Sequence, residues 1–147
     1  MKKLAALLTL VIVQQSAAGT SVWKGEGALF GVNGTSQGEY ELTVTNTKSG
    51  DVTESNIRIK TAEGSVIDLQ CTNTAEGEDS WSSQCGHGKG GGSCFGEGLC
   101  ISYLDSGSGK AFATTIAMDG AADMRLLRTE LQNGKAVRFF REKLHKQ

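Results

Sequence analysis

The stretch from Tyr40 to Thr45 reads YELTVT and places an apolar side chain at every second position. The same alternation recurs in residues 56–60 (NIRIK) and 67–70 (IDLQ). Because successive side chains of a β-strand point to opposite faces, this pattern predicts strands with one buried and one solvated face. Turn dipeptides separate such segments, and Asn33-Gly34 and Asn133-Gly134 are typical of tight hairpins. The chain is therefore expected to be all-β.

The regular spacing of the turns predicts about nine antiparallel strands. They are expected at residues 22–32, 37–47, 52–61, 65–73, 80–86, 98–105, 110–118, 123–132 and 135–144. Short connections favour an up-and-down meander, and a meander of this length can remove its exposed edges by closing into a barrel. A Greek-key sandwich is the alternative topology, and the last segment could instead finish as a helical turn. The glycine-rich stretch between the fifth and sixth predicted strands is expected to be irregular.

The beginning of the chain has the pattern of a bacterial signal peptide. The pair Lys2-Lys3 is followed by an apolar segment at residues 4–13 and by the small residues Ser16-Ala17-Ala18. The apolar segment is too short for a membrane-spanning helix, which needs about 20 residues. We therefore expect a signal peptide at 1–18, a single barrel domain at 19–147, and a periplasmic or secreted protein.

Charge and aromatic content limit the classes of partner. The formal net charge of −1 becomes −3 when Lys2 and Lys3 are removed, so no nucleic-acid partner is expected. A transmembrane β-barrel would also alternate, but it needs aromatic girdles around an outward apolar band, and aromatic residues make up only 6% of the chain. We expect no membrane span after cleavage of the signal.

An even number of cysteines in an exported chain favours disulfides over metal ligation. Cys71 and Cys85 lie seven residues on either side of Glu78, so a hairpin turn there would place them opposite each other. Of the three possible pairings, this geometry favours Cys71 with Cys85 and Cys94 with Cys100. No metal site is expected.

The opening segment from Trp23 to Gly27 (WKGEG) resembles the W-x-G-x-G start of nitrobindin-like proteins and, more loosely, the opening strand of lipocalins and other calycin-type barrels. The resemblance implies a lipocalin-like barrel that holds a small molecule in its interior. The chain departs from the lipocalin motif at Ser21, where that family has glycine. Nitrobindin-like proteins bind haem through a histidine near the C-terminal end, but His145 lies in a charged tail, so no cofactor is expected.

Catalytic and nucleotide-binding signatures are weak throughout. Residues 86–91 match G-x-G-x-x-G but lack the βαβ context of a dinucleotide site. His87 could join the cysteines around it as a zinc ligand, yet the spacing lacks paired C-x₂-C motifs. Neither His87 nor His145 has an evident partner for nucleophilic catalysis. The sequence predicts that the chain is not an enzyme.

The function expected is the binding of a small apolar or amphipathic molecule inside the barrel. A core role for Trp23 and a solvated outer face for the arginines are the structural alternatives. A different function is also open: a periplasmic interaction or inhibitor module that binds a macromolecule, such as an envelope protein, through its loops or a C-terminal basic strip. A two-residue turn at 133–134 would set Arg128 opposite Phe139. The predicted ligand-binding residues are Trp23, Tyr40, Leu42, Ile57, Ile101, Tyr103, Arg125 and Arg128.

Overall fold

The computed structural model describes residues 18–147, so the predicted signal peptide lies outside the described residues except for Ala18. The described part of the chain contains ten β-strands and no helix. The strands are β1 (Gly19–Gly31), β2 (Ser36–Ser49), β3 (Val52–Thr61), β4 (Val66–Ala75), β5 (Ser80–Cys85), β6 (Gly88–Phe95), β7 (Leu99–Gly107), β8 (Lys110–Asp119), β9 (Asp123–Gln132) and β10 (Lys135–Lys146).

The ten strands close into one antiparallel barrel. Each strand pairs with its neighbours in sequence, and β1 also pairs with β10 to complete the ring. Closure pairs every strand on both sides over at least part of its length, which is the advantage of a barrel over an open sheet. The predicted all-β up-and-down barrel is confirmed. The last segment is a strand up to Lys146 and does not finish as a helical turn.

The additional strand is β6, in the glycine-rich segment that the sequence pattern left irregular. Here Gly90 and Gly91 allow backbones to approach closely. A Cβ on Gly90 would lie 2.8 Å from the Cα of Leu104, and one on Gly91 would lie 3.3 Å from the Cα of Ser82. Neither glycine has a positive φ, whereas Gly86 in the preceding turn does. The expectation that this segment is irregular was therefore wrong, because these glycines allow close packing of strands. Glycine has no side chain, so a glycine-rich strand does not show the alternation that identifies other strands.

The inward side chains form the core. Trp23, Leu42 and Ile57 are almost completely buried, and so is Trp81, which the sequence reading did not single out. Trp23 pairs with Val44 and Lys146, so its side chain lies towards the barrel end that holds both described termini. Trp23 is therefore part of the buried core cluster. The described residues contain no helix with the length and hydropathy needed to cross a bilayer.

Two disulfides link adjacent strands. Cys71 on β4 is bonded to Cys85 on β5, and Cys94 on β6 is bonded to Cys100 on β7, with Cα–Cα distances of 4.2 and 3.9 Å. Both pairs are direct cross-strand partners, which confirms the predicted pairing. No cysteine remains free to ligate a metal as a thiolate. Such bonds are typical of proteins that fold outside the reducing cytoplasm.

The two disulfides are expected to differ in their contribution to stability. Cys71–Cys85 spans 14 residues and Cys94–Cys100 spans 6. A cross-link that closes a longer loop removes more entropy from the unfolded chain, so C71A/C85A should lower the free energy of unfolding by about 3 kcal/mol and C94A/C100A by about 2 kcal/mol. Urea denaturation of the two variants measures both values. A larger loss for C94A/C100A would contradict this order.

Candidate binding site in the barrel interior

The register of β10 sets which of its charged side chains point inward. A bulge at Val137 shifts the pairing, so that Arg138 lies opposite Glu130 and Phe140 lies opposite Arg128. The register predicted from the turn, with Arg128 opposite Phe139, is therefore wrong by one residue. A bulge adds one residue to one strand and reverses the face of every residue that follows it. As a result, β9 and β10 both direct charged groups into the barrel.

The deepest of these groups form a hydrogen-bonded triad of Arg128, Glu142 and Tyr40. Arg128 Nη2 donates to Glu142 Oε2 at 2.7 Å, and the Tyr40 hydroxyl donates to Glu142 Oε1 at 2.5 Å. The side chains of Arg128 and Glu142 are 0% exposed. Burial, together with the nearby Glu142 carboxylate, raises the pKa of Tyr40 far above its usual range. Tyr40 therefore remains a protonated donor to Glu142.

A second group of charges lies nearer the solvent. Glu130 accepts a hydrogen bond from Arg138 Nε at 2.8 Å, and Lys110 Nζ lies 3.2 Å from its other oxygen. The Phe140 ring lies near both guanidinium groups, 5.5 Å from that of Arg128 and 6.0 Å from that of Arg138. We call the five charged residues of both groups the inner charge cluster: Lys110, Arg128, Glu130, Arg138 and Glu142.

Neutral polar side chains form a ladder across β2 to β5. Ser83 Oγ donates to Asn73 Oδ1 at 2.8 Å, and Asn73 Nδ2 donates to Ser55 Oγ at 3.2 Å. Ser55 Oγ in turn donates to Asn46 Oδ1 at 2.7 Å. Each of the four residues is buried and comes from a different strand. Every bond in the ladder runs in the same direction, so the Asn46 amide nitrogen is left at its end.

Five buried side-chain atoms in residues 18–147 have no hydrogen-bond partner in the protein, and all five are N–H donors. They are Trp23 Nε1, Asn46 Nδ2, Trp81 Nε1, Arg128 Nε and Arg128 Nη1. Buried polar groups are normally paired, since an unpaired donor costs free energy. No buried side-chain oxygen in the described part of the chain is left without a partner. The buried side chains of the described residues therefore lack hydrogen-bond acceptors for these five donors.

A notch at one end of the barrel is lined in part by Lys110, a member of the inner charge cluster. The β5–β6 hairpin turns at Gly86-His87, and residues 66–70 of β4 extend beyond it without a β5 partner. A groove of about 910 Å³ lies there, and its lining includes Leu69, His87 and Lys110. Lys110 also contacts Glu130, so the groove adjoins the interior.

Five of the eight predicted binding residues point into the barrel. They are Trp23, Tyr40, Leu42, Ile57 and Arg128. Ile101 and Tyr103 were expected inside, and this is wrong: they are 48% and 50% exposed. Their neighbour Cys100 is buried and faces inward, and the period of two then directs Ile101 and Tyr103 outward.

Arg125 lies on the outer face, with 65% of its side chain exposed. Arg125 and Arg128 are three residues apart on one strand, so their side chains point to opposite faces and the two do not belong to one basic strip. Arg125 instead lines an outer groove of about 680 Å³ that also contains Arg141, Glu26 and Glu39. This outer surface is of mixed charge.

The sequence reading did not identify Glu130, Arg138, Glu142 or the polar ladder as interior residues. For Asn46 the phase of the alternation does indicate an interior position, because Asn46 is in phase with Leu42 and Val44 and therefore shares their face. No comparable signal exists for β10, because its phase depends on the bulge at Val137.

Comparison with known proteins finds a similar fold but no related sequence. No family model matches the chain, and no curated protein matches it in sequence. Among solved structures, one described as the S-type phycobiliprotein lyase CPES from Guillardia theta superposes with a TM-score of 0.59 and 8% sequence identity. The superposition covers 85% of each of the two chains.

The lyase comparison corrects the prediction that this chain is not an enzyme. A solved barrel of similar architecture is named a lyase, so the architecture gives no ground for excluding catalysis. At 8% identity the likeness shows the fold alone. The chain has the fold of a closed, calycin-type antiparallel β-barrel, as the resemblance of its opening strand indicated.

Proposed function

We propose that the barrel binds a small amphipathic molecule in its interior. The observation that supports this most directly is the set of five buried N–H donors without a protein acceptor. They lie among apolar side chains such as Leu42, Ile57 and Phe140. Binding sites for small molecules usually combine apolar walls with a few fixed polar groups. A ligand with an apolar body and oxygen acceptors matches both features.

The size of the barrel supports the same proposal. Barrel diameter grows with strand number, and about eight strands already give an interior that side chains can just fill or that can hold one small ligand. This barrel has ten strands. Part of its inner wall, on β7 and β8, is made of small residues that include Ser102 and Thr114. We infer that the ligand lies against this wall and enters at the notch beside the β5–β6 turn.

We place this binding in the periplasm or the medium. Two observations support that location: the signal-peptide pattern of residues 1–18, and two disulfides that use all four cysteines of the chain. Disulfides persist in oxidising compartments.

Thr114 and Thr115 provide a matched test of interior binding. Thr114 is buried on the inner face, whereas Thr115 is exposed on the outer face. N-phenyl-1-naphthylamine, an uncharged fluorescent probe, should bind the wild type with energy transfer from the two tryptophans, both of which are buried. Thr114→Phe should weaken probe binding at least about tenfold by filling the site, a loss of about 1.4 kcal/mol, and Thr115→Phe should leave it unchanged.

A second inward variant, Ser102→Leu, covers the case in which Thr114→Phe does not fold, because Ser102 is also buried on the inner wall. Circular dichroism confirms that each variant is folded before it is titrated. Absence of probe binding to the wild type would contradict the proposal. So would a loss of binding confined to Thr115→Phe, which would place the probe on the outer surface.

A further inference from the structure

Arg128 has hydrogen-bonding capacity that the protein does not use. Only its Nη2 atom donates to Glu142, and neither Nε nor Nη1 has an acceptor in the described part of the chain. The side chain is completely buried, so bulk water does not solvate these donors. A guanidinium is always charged and offers five N–H groups, which makes it the side chain best suited to bind a carboxylate.

The inner charge cluster also has an excess of positive charge. Its cations are Lys110, Arg128 and Arg138, and its anions are Glu130 and Glu142. Three positive and two negative charges leave a net charge of +1. Both carboxylates are already engaged, since Glu142 also accepts from Tyr40 and Glu130 from Arg138. Arg128 and Glu142 are completely buried and balance each other, whereas the side chains of Lys110 and Arg138 are 25% and 28% exposed, so the excess charge lies on the solvent side of the cluster, where one anionic group would balance it.

Based on these two observations, we propose that the interior ligand is an amphipathic organic acid whose carboxylate binds Arg128. This inference rests on the proposed function and specifies the chemistry of that ligand. A monoanion matches the single excess charge, whereas a dianion would leave a buried negative charge. The carboxylate would accept from Nε or Nη1, and the apolar remainder of the ligand would lie against the small-residue wall and the Phe140 ring. A neutral alcohol of the same length would not compensate the charge of the cluster.

The test compares decanoate with 1-decanol at neutral pH, each measured by displacement of N-phenyl-1-naphthylamine from the mature protein. In the wild type, decanoate is expected to bind at least about tenfold more tightly than 1-decanol, because its carboxylate would accept charge-assisted hydrogen bonds from Arg128 that are stronger than those of an alcohol. The double variant R128M/E142Q removes one positive and one negative charge together, so no unpaired buried charge remains. In this variant the preference for decanoate over 1-decanol should be lost.

Arg125→Met is the matched control, because Arg125 lies on the same strand but faces outward. It should keep the full preference for decanoate. Equal binding of decanoate and 1-decanol to the wild type would overturn the organic-acid inference and leave the proposed function intact. Loss of both ligands by a folded R128M/E142Q variant would also overturn it, because the pair would then only shape the site. Failure of the probe to bind the wild type would contradict the proposed function itself.

Discussion

Replacing Arg128 with methionine is expected to lower the free energy of unfolding by about 3–5 kcal/mol. The substitution leaves the Glu142 carboxylate completely buried, with the Tyr40 hydroxyl as the donor that remains to it. Removing one partner of a buried ion pair costs far more than the pair contributes, because the remaining charge is neither solvated nor compensated. Urea denaturation followed by circular dichroism or tryptophan fluorescence measures the loss.

Two further variants separate the loss of the ion pair from the loss of an arginine. Arg125→Met removes an exposed arginine whose ion pair with Asp119 spans 3.9 Å, and it should change the stability by less than about 1 kcal/mol. The double variant R128M/E142L removes both buried charges, and it should recover most of the stability that R128M loses. If R128M were no more destabilising than Arg125→Met, the buried Glu142 carboxylate would not depend on Arg128 for compensation of its charge.

Replacing Gly90 with alanine is expected to cost about 3 kcal/mol or more, because the added Cβ would press on the backbone of β7. It would lie 2.8 Å from the Cα of Leu104 and closer still to the carbonyl oxygen of Tyr103. A backbone neighbour cannot rotate away as a side chain can, so β6 and β7 would have to separate. Thermal and urea unfolding measure this effect.

Gly77→Ala is the matched control. A Cβ there would meet only Ser80 Oγ, at 3.4 Å, and Gly77 does not have a positive φ. Its stability should remain within about 1 kcal/mol of the wild type, since alanine also restricts the unfolded chain. Equal effects of Gly90→Ala and Gly77→Ala would show that close backbone approach is not the reason for glycine in β6.

The organisation of the barrel could be predicted from local patterns. Alternation such as that of residues 40–45, together with hairpin dipeptides such as Asn33-Gly34, indicates antiparallel strands, and short connections restrict which strands can be neighbours. The disulfide of Cys71 and Cys85 follows from the same local geometry, because both cysteines belong to one hairpin. Strand β6 could not be predicted in this way, since its glycines have no side chains to alternate.

The candidate site was only partly predictable. Trp23, Tyr40, Leu42 and Ile57 were placed inside by their apolar character and the period of their strands. The same reasoning failed for Ile101 and Tyr103, because alternation indicates which residues share a face and does not indicate which face is inside. On β7 the residues that share the inner face are Cys100, Ser102 and Leu104, and Ile101 and Tyr103 lie on the other face.

The sequence by itself determined the antiparallel meander outside β6 and the two disulfides, because each of these depends on residues within one hairpin or on the period of one strand. Only the tertiary structure decided that Arg128 and Glu142 are inside. Charged side chains normally remain in water, and this pair is stable in the core only because closure of the barrel brings β9, β10 and β2 together. Tyr40 is 102 residues from Glu142 in the chain, a separation at which no local pattern predicts contact.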